Sequence, residues 1–115
     1  MPADSPPGVA VETVYVVEAT YAPDAARIRG PFRPEHLARV IEMRRAGTLL
    51  EAGGFADFSS ALLLFRTSSA EEALEICRSD VYTRNGVWVE LRARPWGRVV
   101  TEDELAAPMA TTTAT

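Results

Sequence analysis

Gly30-Pro31-Phe32-Arg33-Pro34-Glu35-His36-Leu37-Ala38-Arg39-Val40-Ile41-Glu42-Met43-Arg44-Arg45-Ala46-Gly47 reads as one helix with both ends marked. Proline suits a first helical turn, where the N–H has no partner to lose, and Gly47 supplies a left-handed stop. Between them Leu37, Val40 and Ile41 recur at helical spacing and predict a buried stripe over about residues 34–46. His36, the only histidine in the chain, lines up with Val40 and Met43 on the shoulder of that stripe. An imidazole held there is either a packed, half-buried ring or a proton carrier, and the helix alone leaves both open.

Working outward, Val14-Tyr15-Val16-Val17-Glu18-Ala19-Thr20 is β-branched and aromatic, with apolar residues on both parities, so it predicts a central strand. Tyr21 to Pro31 is a connection with turn signals at Pro23-Asp24 and Gly30-Pro31 and a short helical turn at Ala25-Ala26-Arg27. After the helix, residues 48–53 form a second strand, Gly53-Gly54 breaks it, and residues 61–67 return as a third. Ser68 with Glu71, or Ser69 with Glu72, makes a capping box before a second helix whose apolar side carries Ala70, Ala73, Leu74 and Cys77. That position makes Cys77 a small buried hydrophobe rather than a nucleophile. Residues 87–93 alternate as a fourth strand with Val87, Val89 and Leu91 on one face, ended or edged by Arg94-Pro95-Trp96.

Strand, helix, strand, strand, helix, strand is the ferredoxin-like βαββαβ order of the α+β class, with both helices on one face of a four-stranded antiparallel sheet. The other face, expected to carry Trp88 and Glu90 and joined by Tyr15 or Leu63, then needs a cover. A second copy of the same sheet supplies one, giving a homodimer through the open sheet face, a dimeric α/β barrel with a pocket in each half. Residues 1–12, rich in proline, predict a flexible leader, residues 13–100 the folded domain, and residues 101–115 an acidic, then Ala/Thr-rich tail.

Composition narrows the chemistry. A chain of 115 residues, 47% apolar, is one globular domain. No apolar run approaches the roughly 20 residues of a membrane span, and Met1 to Gly8 has no signal-like pattern, so the expected location is the cytoplasm with no membrane partner. One cysteine and one histidine exclude an internal disulfide and a multi-His or multi-Cys metal centre. All 12 basic residues are arginine, so lysine Schiff-base chemistry is impossible, and neither a cofactor nor a metal is expected. The arginine and alanine bias points to a GC-rich bacterial genome. Net charge is −4, but the acids of the two ends account for it, and the dispersed arginines form no basic stripe for nucleic acid.

Over residues 13–96 the chain resembles the YciI-like (YCII) family of dimeric αβ-barrel proteins. The resemblance is carried by Val14-Tyr15-Val16-Val17, Arg33-Pro34-Glu35-His36-Leu37, Ala46-Gly47 with Leu49-Leu50, Gly53-Gly54, Leu62 to Phe65, Ser69-Ala70-Glu71-Glu72-Ala73, Ser79-Asp80-Val81-Tyr82 and Arg94-Pro95-Trp96. It implies that His36 and Asp80 form a pair at the mouth of a pocket. Members include a dehydrochlorinase acting on a chlorinated hydroxyhydroquinone. The chain departs from the family at Val81, where proline is common, and at Gly54, where a proline often follows the first glycine.

Residue chemistry is compatible with such a pair. An imidazole near neutral pKa can take and return a proton, and a carboxylate on its far nitrogen fixes the tautomer. Arg33, on the first turn of the same helix, can hold an anionic or enolate oxygen, while Tyr82, Phe32, Tyr15 and Trp88 offer flat walls for a ring, or core and interface packing. With no phosphate loop, dinucleotide fingerprint, metal set or lysine, proton transfer remains. The reading is a cofactor-independent lyase or isomerase catalysing elimination, dehydration, isomerisation or cyclisation of a small cyclic carbonyl or phenolic compound, with His36 and Asp80 catalytic. The alternatives are a non-catalytic ligand-binding or accessory module of the same fold, or a cofactor-independent oxygenase or biosynthetic cyclase.

Overall fold

The computed structural model describes residues 6–106. Its elements are β1 (Val9–Tyr21), α1 (Ala25–Ile28), a 3-10 turn at Gly30–Phe32, α2 (Arg33–Ala46), β2 (Leu49–Gly54), β3 (Ser60–Phe65), α3 (Ala70–Arg78), α4 (Val81–Arg84), β4 (Trp88–Thr101) and α5 (Glu102–Ala106). The sheet runs β2-β3-β1-β4 with every neighbour antiparallel, so β1 is central as its two-sided apolar pattern requires. This is the α+β, ferredoxin-like arrangement read from the sequence. No helix of the described residues is long and apolar enough to cross a membrane.

α2 ends as expected. Gly47 has φ 82°, and its N–H and that of Thr48 turn back to carbonyls of the last turn. The buried side of α2, however, is rotated from the expected one. His36 and Val40 are its buried residues and Met43 packs against the core, whereas Leu37 and Ile41 are 39% and 44% exposed. The shoulder of the apolar stripe is therefore the centre of the buried face, because α3–α4 meets α2 with a carboxylate and an aromatic ring that an imidazole satisfies better than leucine.

At α3, Ser69 is the N-cap and accepts from Glu72 N–H at 3.1 Å, while the Glu72 carboxylate reaches back to the N–H and hydroxyl of Ser68. Both serines of the overlapping boxes are used, with Glu72 serving each. Buried Cys77 lies on the inner side of this helix, and desolvation, aided by nearby Asp80, pushes its thiol up to about 12.

β1 and β4 are longer than expected. They pair from Val9↔Thr101 to Tyr21↔Trp88, so residues 9–12 belong to the sheet rather than to a leader, and the acidic Glu102, Asp103 and Glu104 open α5. Pro95 does not stop β4, because β4 is an edge strand whose outer side needs no ladder donor. The remaining leader and tail positions, 1–5 and 107–115, lie outside the described residues.

A bulge between Thr20 and Tyr21 changes the parity of β4, since Trp88 pairs with Tyr21 and Glu90 with Thr20. Trp88 consequently joins the core beneath the helices instead of the open face, and Val89, expected beside Val87, is 59% exposed. Tyr15 and Leu63 also pack into the helix-side core. The open face is made instead by Val16, Leu62, Leu64, Arg94 and Trp96, which line a shallow groove across β3, β1 and β4.

Candidate active site

His36 projects from the first turns of α2 into the angle between α4 and β4. Asp80 follows α3 and opens α4 as its N-cap, in extended conformation, its Oδ2 accepting from Tyr82 N–H at 2.9 Å. The same oxygen lies 2.8 Å from His36 Nδ1, although 44 residues separate the two. His36 is 8% and Asp80 4% exposed. Val81 takes the first helical position and leaves this cap geometry intact. Thr83 hydroxyl to Cys77 C=O at 2.6 Å and Asn85 to Val81 C=O at 2.9 Å tie α4 down, and Arg84 reaches Glu35 of α2 at 3.3 Å.

A carboxylate has only lone pairs to offer, so the short Nδ1 contact places the neutral ring's proton on Nδ1. Nε2 then carries the lone pair, and it has no hydrogen-bond partner among the described residues. The ring is held flat against Tyr82, centroids 3.8 Å apart and planes 8° from parallel, and Trp88 stands edge-on to both at 87° and 89°. Trp88 Nε1 is the buried side-chain donor without a partner among the described residues. Two aromatic rings and one carboxylate thus determine the imidazole's position, plane and tautomer.

The ring borders a cavity of about 310 Å³ between α2, the β2–β3 loop and the sheet. His36, Arg33, Tyr82 and Trp88, all expected at the site, line it. Asp80 stands behind the imidazole and reaches the cavity only through it. Tyr15 and Phe32 are not brought there: both pack against the core, Tyr15 at the stretch of β1 paired with Phe65 and Pro95, Phe32 at the entry to α2. Other lining residues were not singled out from sequence, Tyr21, Arg29 and Phe58 among them. Tyr21 ends β1 and Arg29 ends α1, while Phe58 sits in the β2–β3 loop. Only Tyr21 carried a local signal, two-residue alternation along β1 with Val17 and Ala19.

Tyr21 also explains a glycine. A Cβ on Gly54 would stand 2.8 Å from the Tyr21 hydroxyl, so the bare backbone leaves that phenol its place on the cavity wall. The Tyr82 hydroxyl is raised above its ordinary pKa, chiefly by burial, with Arg29 and Arg33 opposing. It stays a neutral donor through the physiological range.

The chain is 29% identical over 96 residues to Protein YciI of Escherichia coli O6:H1 and to its counterpart in Shigella flexneri, a span of 75% of this chain and 98% of theirs. Over that span the chain is similar to YciI. No family model matches it. Among solved structures it is similar to a 5-chloro-2-hydroxyhydroquinone dehydrochlorinase from Burkholderia phenoliruptrix in complex with 2,5-dihydroxybenzoquinone, with TM-score 0.61 over 72% of this chain and 92% of that one. Identity there is 16%, and the likeness shows that the two chains share a fold.

Proposed function

We propose that this YciI-like chain is a cofactor-independent acid–base enzyme, a lyase or isomerase acting on a small planar cyclic carbonyl or phenolic compound. The observation that carries the reading is the buried pair: an imidazole whose Nδ1 is engaged by Asp80 and whose Nε2 is left to a cavity of about 310 Å³. Nε2 takes a proton from a carbon or hydroxyl of the substrate, and Asp80 stabilises the imidazolium so formed. Nε2 then returns the proton to the leaving group or to another atom of the same molecule. Such a pair contributes about 10²- to 10⁴-fold to a proton-transfer step.

In this reading Arg33, which lines the cavity, holds the oxygen on which negative charge develops, with the Tyr82 hydroxyl of the same cavity as a neutral donor. The aromatic lining fits a flat ring. The dehydrochlorination named for the structural neighbour is an elimination, a reaction of this class. The working unit is proposed to be a homodimer joined through the groove of Val16, Leu62, Leu64, Arg94 and Trp96.

The test is a panel of small hydroxyquinones, phenols and lactones incubated in D₂O with the wild type and with His36→Gln. Catalysis predicts turnover or carbon-bound deuterium with the wild type and loss of rate with retained affinity in the variant. Full turnover by the variant would remove His36 from the chemistry, and ligand binding without turnover by the wild type would leave a binding module instead.

A further inference from the structure

Among the described residues, two guanidiniums line the cavity and no carboxylate does. Arg33 lies on the first turn of α2, and Arg29 lies four residues earlier at the end of α1. Neither makes an ion pair among the described residues, although most of the chain's arginines do. Arg33 is exposed, whereas Arg29 is half-buried and braced. Its guanidinium carbon sits 4.6 Å above the centre of the Phe58 ring, and that ring leans on Tyr21 at 5.5 Å.

Phe58 is held there against its backbone preference. With φ 59° it is the described non-glycine residue in the left-handed region, which a bulky side chain enters only where its surroundings over-determine it. Ser59 N–H bonded to Asp57 Oδ1 at 2.9 Å, and Phe58 N–H bonded to Phe55 C=O at 3.0 Å, fix the turn. A glycine or asparagine would suit that turn better, so what the phenylalanine adds is its ring beneath Arg29.

We infer that Arg29 is the selectivity residue of this cavity, and that the ligand is a small planar acid bearing a carboxylate, or an enol or phenol ionised at neutral pH. The inference rests on the cavity being the place of the acid–base chemistry and adds what that cavity selects. A half-desolvated guanidinium with no internal counter-charge among the described residues gains a charge-assisted bond from an anion, while a neutral ligand of the same shape leaves it only the neutral Tyr82 hydroxyl. The Tyr82 hydroxyl feels the same guanidinium, so the anionic oxygen meets a phenol donor beside the cation.

The experiment is calorimetric titration at neutral pH with benzoate, salicylate and 2,5-dihydroxy-1,4-benzoquinone, each paired with its methyl ester or dimethyl ether. The wild type is expected to bind the acids and to discriminate against their neutral partners. Arg29→Met is expected to weaken the acids roughly 10- to 100-fold while leaving the neutral partners and Tm unchanged, with Arg29→Lys restoring part of the loss. Equal binding of acid and neutral partner by the wild type overturns the inference with no variant needed and leaves the His36 reading standing. So does an Arg29→Met protein that weakens both sets alike. A wild type that binds none of the six overturns both.

Discussion

At the residue scale, Asp80 Oδ2 has two duties, capping α4 through Tyr82 N–H and holding His36 Nδ1. Substitutions separate them. Asparagine caps as well as aspartate, so Asp80→Asn is expected to stay within about 1 kcal/mol of wild-type stability while losing the charge that stabilises an imidazolium, and with it the rate. Asp80→Ala loses the cap and strands a buried imidazole N–H, costing roughly 1–3 kcal/mol in denaturant titration. If the two variants unfold alike, the cap is not what anchors the carboxylate. Cys77 gives an independent check on the interior. With its thiol pushed up to about 12 and its surface buried, it should resist alkylation at neutral pH until the protein is unfolded.

How much of the site was legible differs from residue to residue. His36 stood out as the lone imidazole on a well-marked helix, whereas Asp80 was singled out only through the family resemblance. Their meeting depends on packing α2 against α4, which no local pattern encodes; only the family resemblance joined them. Arg29, Tyr21 and Phe58 were hidden for the same reason, since they come from a connection, a strand end and a hairpin loop that converge only in three dimensions.

At the element scale, a half-buried charge cluster ties the β1–β4 ribbon to the end of β3. Glu12 accepts from Arg66 through both carboxylate oxygens and from Arg98 at 3.1 Å. The bond from Arg66, first, and the cationic neighbours hold the Glu12 carboxyl below its ordinary value of 4.5. The stabilisation is therefore complete above that ordinary value and fades as pH falls through the lower value of the folded state. Glu12→Gln should cost about 1–2 kcal/mol at neutral pH and flatten the acid limb of the stability profile. An unchanged limb would show that the cluster contributes nothing.

The ribbon was misjudged because Arg94-Pro95 reads as a strand end, and only the edge position of β4 makes the proline harmless. The bulge at Thr20/Tyr21 was equally invisible, yet it decides that Trp88 faces His36 rather than the open side. Gly54→Ala tests the other end of the sheet. It should displace Tyr21 and weaken ligand binding, and Tyr21→Phe in the same chain should recover part of the loss, because the hydroxyl that meets the new Cβ is gone.

At the scale of the whole molecule, the ferredoxin-like order was readable because each helix and strand carries its own period and punctuation. The open face was predicted, but with the wrong residues, since parity was counted through the bulge. Trp96, 49% exposed beside Val16, Leu62 and Leu64, is the residue on which the proposed homodimer turns. Trp96→Asp is expected to convert a dimer to a monomer in sedimentation velocity, with the fold retained by circular dichroism. A wild type that sediments as a monomer at micromolar concentration removes the dimer from the proposal and leaves the His36–Asp80 pair as it stands.

With a single histidine in the chain, ¹⁵N-labelled protein gives one imidazole spin system that needs no assignment by mutation. Long-range ¹H–¹⁵N correlation across pH reports directly which nitrogen carries the proton. The neutral ring is expected to be the Nδ1–H tautomer with Nε2 unprotonated, and Asp80→Ala is expected to abolish that preference. A neutral ring protonated on Nε2, or a tautomer ratio indifferent to Asp80, would contradict a base poised toward the cavity.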